Sequence, residues 1–290
     1  MRIIDFHVHI FPPEVIKNRE KFFRRDRWFE VLYSSPRARM ITAEELIQVM
    51  DEDGIDAAVA FSFAWSDMGL CRCCNDYVLD VMKRYPGRIY GFVAVQPRAG
   101  NEAVREIERC IEGGMRGIGE LMPNGQGYAL DDEDIMTPIV AAAVAYDVPL
   151  MVHTSEPVGH NYRGKGTISP GIVYNFIQHH PELTLVCSHW GGGLPFYELM
   201  PKVRERLSRV YYDTAATPFL YDIQIFPIVG ELLRYKILFG TDFPLVRPGP
   251  FVEQVKNSGL SQRGLERILG ENAARLLKIF PGESSEPLDM

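Results

Sequence analysis

Ile3-Ile4-Asp5-Phe6-His7-Val8-His9 is a β-branched and aromatic run that closes on a His-x-His pair. Successive side chains of a strand point to opposite faces. Ile3, Asp5, His7 and His9 therefore share one face, and Ile4, Phe6 and Val8 share the other. The apolar set is expected to pack against helices. Both imidazoles then point inward, one pleat apart, at the C-terminal end of the strand.

Seven further runs of strand character follow. The predicted strands are residues 2–9, 56–63, 89–95, 115–120, 148–153, 183–189, 210–213 and 237–242. Helical stretches separate most of them. Thr42 and Glu45 form the two halves of a capping box that opens one helix. Residues 101–112 form another, stopped by Gly113-Gly114. Further helices are predicted near 72–85, 133–146, 171–179, 196–207 and 221–234. Parallel strands need crossover connections, and helices are the usual ones. Eight such units close into an α/β fold of the (β/α)8 TIM-barrel type. An open doubly wound sheet fits less well, because no Gly-x-Gly-x-x-Gly follows the first strand.

Residues 1–280 are read as one barrel domain, and 281–290 as a polar, frayed tail. Two connections are too long for ordinary loops. Residues 11–41 carry eight Lys/Arg against four Asp/Glu, with Phe22, Phe23, Trp28, Phe29 and Tyr33 among them. This segment reads as a flap: a lid bringing Arg to an acidic substrate, a subunit contact or a solvated loop. Residues 154–170 hold Gly159, Gly164 and Gly166 and also belong at the top of the barrel.

Composition narrows the function. Over 290 residues, 31 Lys/Arg against 38 Asp/Glu give a net charge of −7. An acidic balance argues against general nucleic-acid binding, which needs positive charge facing phosphates. No apolar run is long enough to span a membrane. The N-terminal residues do not resemble a signal peptide. Five Cys form no disulfide framework, so a reducing cytoplasm is expected. Cys71-Arg72-Cys73-Cys74 lacks the second Cys pair that a zinc site of that kind needs.

The strand ends carry the chemistry. Besides His7 and His9, predicted strands lead to Glu120, His153, His189 and Asp242. Buried His and Asp without partners are costly, so a divalent cation at the barrel mouth is the economical explanation. Imidazole and carboxylate ligands suit zinc first, with manganese, iron or cobalt as alternatives, in one or two ions. Asp213, ending the seventh strand, is placed to steady a ligating His.

His7-x-His9, His153, His189 and Gly240-Thr241-Asp242-Phe243-Pro244 resemble the amidohydrolase superfamily. The run Cys187-Ser188-His189-Trp190-Gly191-Gly192-Gly193 and the ending Glu271-Asn272-Ala273-Ala274-Arg275 are similar to its amidohydrolase-related branch, with the aminocarboxymuconate-semialdehyde decarboxylase-like proteins. The resemblance covers residues 2–279. It implies a metal-dependent hydrolase-type barrel and one metal held by His7, His9, His153 and Asp242, with His189 orienting water. A homodimer is also implied, weakly. The branch contains both hydrolases and non-oxidative decarboxylases. Glu120 departs from its decarboxylases and is similar to the bridging carboxylate of two-metal hydrolases. Its other reading is a hydrogen-bond acceptor beside the ligands, or a partner of Arg116 or Arg163.

On Glu120 the sequence favours hydrolysis of an amide, lactone or ester in a small, acidic substrate. Water activated by the metal would attack, Asp242 would accept and return the proton, and His189 would bind a second ion or the oxyanion. The alternative is decarboxylation of an unsaturated or aromatic acid. A non-enzymatic metal-binding protein is the third class. Phe11, Trp65 and Trp190 are candidates to sandwich a planar ring. Arg163 and Arg247, with Arg25 and Arg27, are candidates to clamp a carboxylate. His160, in the Gly-rich loop, is placed either near the substrate or on the surface.

Overall fold

The computed structural model describes residues 1–279. Residues 281–290, read above as a frayed tail, lie outside the described residues. Eight parallel strands run in chain order: β1 (Ile4–His9), β2 (Ala57–Phe61), β3 (Ile89–Val93), β4 (Gly117–Leu121), β5 (Leu150–Val152), β6 (Leu185–Cys187), β7 (Val210–Asp213) and β8 (Ile237–Leu238). All eight predicted strands are present, most of them shorter than expected. The ring closes because Phe6 N donates to Phe239 O (2.7 Å), Asp242 N to His7 O (2.9 Å) and His9 N to Phe243 O (2.9 Å). Asp5 staples the same seam. Its carboxylate accepts from Thr241 N at 3.0 Å and from Thr241 Oγ1 at 2.6 Å.

The interior corrects one expectation. Ile4 and Phe6 do not face the helices. They cluster with Val59, Phe92, Met151, Val186 and Leu238, residues of distant strands that can meet only inside the barrel. Phe6 meets Phe92 edge-on at 5.6 Å. A register shift between Asp5 and Val8 explains how His7 can also point inward. Pairing of β4 with β5 shifts likewise between Ile118 and Leu121, across Glu120. Such bulges re-aim side chains next to functional sites.

Six longer helices surround the strands: Ala43–Asp53, Met68–Arg84, Asn101–Glu112, Glu133–Ala145, Pro170–His179 and Pro248–Lys256. The Thr42 capping box is formed, with both reciprocal hydrogen bonds. The helices expected at 196–207 and 221–234 are broken. The first is a 3-10 stretch followed by Pro201–Arg206. In the second, a single π turn over Phe226–Gly230 replaces the helix. Pro201 and Pro227 cannot donate a helical hydrogen bond, and Met200, just before Pro201, is extended at ψ 114°.

Residues 11–41 are a folded cap rather than a solvated loop. Pro13–Lys17, Arg19–Phe23 and Arg27–Tyr33 are three short helices. Asp26 caps the third through Phe29 N (2.9 Å) and accepts from Ser66 N and Oγ at 2.7 and 2.8 Å. Phe11, Phe29, Phe63 and Trp65 form a separate buried cluster. Burying one such ring contributes about 1.5–3 kcal/mol. Among the described residues no helix is long and apolar enough to cross a membrane.

Candidate active site

The strand ends bring six donor side chains together at the mouth. His7, His9 and Asp242 form one group, and Glu120, His153 and His189 a second. His9 Nε2 lies 3.2 Å from His7 Nε2 and 3.3 Å from Asp242 Oδ1. Glu120 lies between the groups. Its Oε2 is 3.8 and 3.9 Å from His7 and His9 Nε2, and its Oε1 is 3.2 and 3.7 Å from His153 Nδ1 and His189 Nε2. Arg116 and Arg163 form no ion pair with it.

Local backbone explains these positions. Gly119, at φ +124°, lets β4 approach β5, where a Cβ would sit 2.4 Å from Met151 O. His189 begins a left-handed turn, with φ +57°. Gly192 in that turn faces Ser155, whose carbonyl oxygen would be 2.4 Å from an added Cβ. Thr154 Oγ1 donates to Ser188 O, tying the His153 and His189 strands together.

The hydrogen bonds fix which nitrogens face inward. Asp213 Oδ2 accepts from His7 Nδ1 at 2.9 Å. Ala215 O, which can only accept, takes the Nδ1 proton of His189 at 3.2 Å. When neutral, both rings then turn Nε2 lone pairs towards the cluster. His7 Nε2 meets His9 Nε2, and His189 Nε2 meets His153 Nδ1 at 3.1 Å. Metal–ligand bonds of about 2.0–2.2 Å place neighbouring donors roughly 3–3.5 Å apart. The observed spacing and the converging lone pairs fit a divalent cation.

Electrostatics agree. Burial opposes charge on His7, but Asp213 and Glu120 overcome it and push its pKa up to about 10. Burial also works against ionised Glu120, yet His7 and His153 hold its carboxyl well below the usual range. Burial would likewise raise Asp242, and the His9 hydrogen bond and His7 bring it below its ordinary value. Burial and then the neighbouring His153 lower His189. The field at His7 thus favours added positive charge, which a proton or a metal ion can supply.

Above the donors opens a cleft of about 520 Å³. His9, Glu120, His153, His189 and Asp242 lie on its floor, and Arg163 and His160 reach its wall. The 27–39 part of the cap contributes Leu32, Tyr33, Arg37 and Arg39. Six residues expected to touch substrate do not line this cleft. Phe11 and Trp65 are fully buried in the cap cluster, where Phe29 lies 4.5 Å from the Trp65 ring. Trp190 is buried against Phe226 and donates to Thr217 Oγ1 at 2.8 Å. Arg247 is spent on Asp53 and Glu52 outside the mouth. Arg25 and Arg27 pair with Asp67 and Glu30. Sequence reasoning did not single out Arg37 or Arg39. The excess of basic residues in 11–41 was their signal, but only the fold of the cap selects them.

An amidohydrolase family model matches residues 4–279. The chain belongs to the amidohydrolase family. Gamma-resorcylate decarboxylase of Polaromonas sp. is 22% identical over 325 residues, covering 93% of this chain and 97% of that protein. The Rhodococcus jostii enzyme of the same name is 22% identical over 328 residues, with coverage of 93% and 97%. Among solved structures, 5-carboxyvanillate decarboxylase of Novosphingobium aromaticivorans, complexed with manganese and 4-hydroxy-3-methoxy-5-nitrobenzoic acid, shares the fold at a TM-score of 0.80. It is 21% identical, with 96% of each chain covered.

These relatives overturn the expectation of hydrolysis. They are decarboxylases, and the match runs along nearly their whole length. Glu120 carried the preference for a hydrolase, and it does face the donor cluster. A carboxylate there sets the charge presented to a cation, however, and not which bond of the substrate breaks.

Proposed function

We propose that this chain is a divalent-metal-dependent, non-oxidative decarboxylase of a small aromatic or unsaturated carboxylic acid. One observation carries the reading: a floor of imidazoles and carboxylates beneath an arginine-bearing wall, in a chain whose full-length relatives are decarboxylases. His7, His9, His153 and Asp242 would hold the ion, with Glu120 and His189 beside them. When bound, a divalent ion supplies Lewis-acid polarisation of the substrate's oxygen groups. Manganese, held by a solved relative, suits the two carboxylates, and zinc the imidazoles.

The chain's own groups do the rest. Arg163, Arg37 and Arg39 orient an acidic substrate, since a guanidinium fork matches a carboxylate. Tyr33, Phe63 and Phe219 on the walls exclude water from an apolar ring. The reaction breaks the bond to the carboxylate carbon, releases CO2 and places a proton on the carbon left behind. Asp242 and His189 Nε2 are the groups on the floor that would carry that proton.

The test is CO2 release from 2,6-dihydroxybenzoate, 5-carboxyvanillate and related acids, with manganese or zinc supplied. Expected is release from at least one acid, lost on chelation and restored by the metal. Ester or lactone hydrolysis without CO2 release from any acid would overturn the proposal. The homodimer reading is tested separately, by light scattering of the purified chain.

A further inference from the structure

Asp213 ends β7 and is fully buried. Both of its carboxylate oxygens are used. Oδ2 accepts from His7 Nδ1 at 2.9 Å. Oδ1 accepts from His189 N at 2.9 Å and from Ala215 N at 3.0 Å. His7 belongs to one donor triad and His189 to the other. The same carboxylate thus reaches a ring in the first triad and the backbone of the second.

Each contact has a consequence. An ionised carboxylate only accepts, so the proton of a neutral His7 is confined to Nδ1, and Nε2 turns its lone pair to the floor. Removing this partner from a ligating imidazole weakens metal binding. The second contact supports a strained conformation: His189 is not glycine, yet its φ is +57°, in the left-handed region that L-residues rarely adopt. Gly240 gives the carboxylate room, because a Cβ there would stand 3.0 Å from His7 Cβ and 3.4 Å from Asp213 Cβ.

We infer that Asp213 is a positioning residue that holds the two donor triads in register for one divalent-ion centre, through the tautomer of His7 and the backbone of His189. This rests on the metal reading given under Proposed function, not on the reaction.

Asp213→Asn separates the two contacts. The amide oxygen can still accept from His189 N and Ala215 N. The amide nitrogen would donate to His7 Nδ1, so the ring proton moves to Nε2, where the lone pair is needed. The affinity for manganese, measured by calorimetry, should fall about 10–100-fold, while the metal-free protein keeps its circular dichroism spectrum. Asp213→Ala, which loses both contacts, should bind still more weakly. Nitrogen NMR of the zinc-loaded wild type should show His7 protonated at Nδ1, and this measurement decides the matter if the variants do not fold. Manganese affinity in Asp213→Asn equal to wild type, or His7 protonated at Nε2 in the zinc-loaded wild type, would overturn the inference alone. Wild-type protein that binds neither metal would overturn it together with the metal reading.

Discussion

His7 points to the cleft because β1 shifts register between Asp5 and Val8. Plain alternation correctly predicts the inward direction of His7 and His9. It misplaces Ile4 and Phe6, since a strand that changes register can turn both kinds of residue inward. That shift has no marker in the sequence, so the donors were legible there and the packing beneath them was not. Asp242 was legible for the same reason as His9, at the end of an apolar run. Two substitutions test this scale. His7→Ala should abolish metal binding, read by metal analysis of the purified protein. Gly192→Ala forces a Cβ to 2.4 Å from Ser155 O at φ +60° and should cost about 1–3 kcal/mol in thermal unfolding. Arg163→Gln belongs with them. It leaves the floor intact, so KM for the acid should rise more than kcat falls.

Among the elements, capping chemistry was the most reliable signal, as at Thr42 and Glu45, because it depends on local side chains alone. Stretches 196–207 and 221–234 had helical composition, and their Pro residues decided otherwise. The cap of 11–41 was visible as a long insertion, but its internal core needs the contact of Phe29 with Trp65, 36 positions away (65 − 29). Asp26→Ala removes three hydrogen bonds of a buried carboxylate. It should cost about 2–5 kcal/mol and raise KM, because Tyr33, Arg37 and Arg39 lie on the same segment. The Asn101–Glu112 helix offers a pH test. Glu106 accepts from Arg109 at 2.9 and 2.8 Å and from Asn75 at 2.8 Å. Burial opposes its ionisation, but these bonds outweigh it and hold the carboxyl below its ordinary 4.5. Stability from a lowered carboxylate pKa is complete above the unfolded value and vanishes as the pH falls through the folded one. Glu106→Gln should therefore lower Tm at pH 7, and the gap to wild type should narrow as the pH falls below 4.5.

For the molecule as a whole, the barrel was legible from the count and order of strands. The reaction was not. One set of His, Asp and Glu serves either bond cleavage, and full-length relatives, not the residues themselves, favour decarboxylation. The cap also changes what its removal would do. A lid with no core of its own would be dispensable for folding. The structure shows that cutting it away would expose Phe63 and Trp65, so thermal stability should fall along with turnover. A ligand that binds only the folded chain stabilises it by an amount that grows with the logarithm of its free concentration over its dissociation constant. Manganese at 100 times its dissociation constant should add about 2.7 kcal/mol, and chelation should reverse that gain in a thermal melt.

β1 supplies His7 and His9, while Asp242 follows β8, and the seam between them is held by Phe6 with Phe239 and His7 with Asp242. A growing polypeptide therefore exposes two of these three donors early and waits some 230 residues for the third. Nothing emerging from the ribosome can trap a cation with the full triad before the last strand docks. Ion uptake should thus mark the end of biosynthesis, and a nascent chain stalled ahead of β8 should emerge empty.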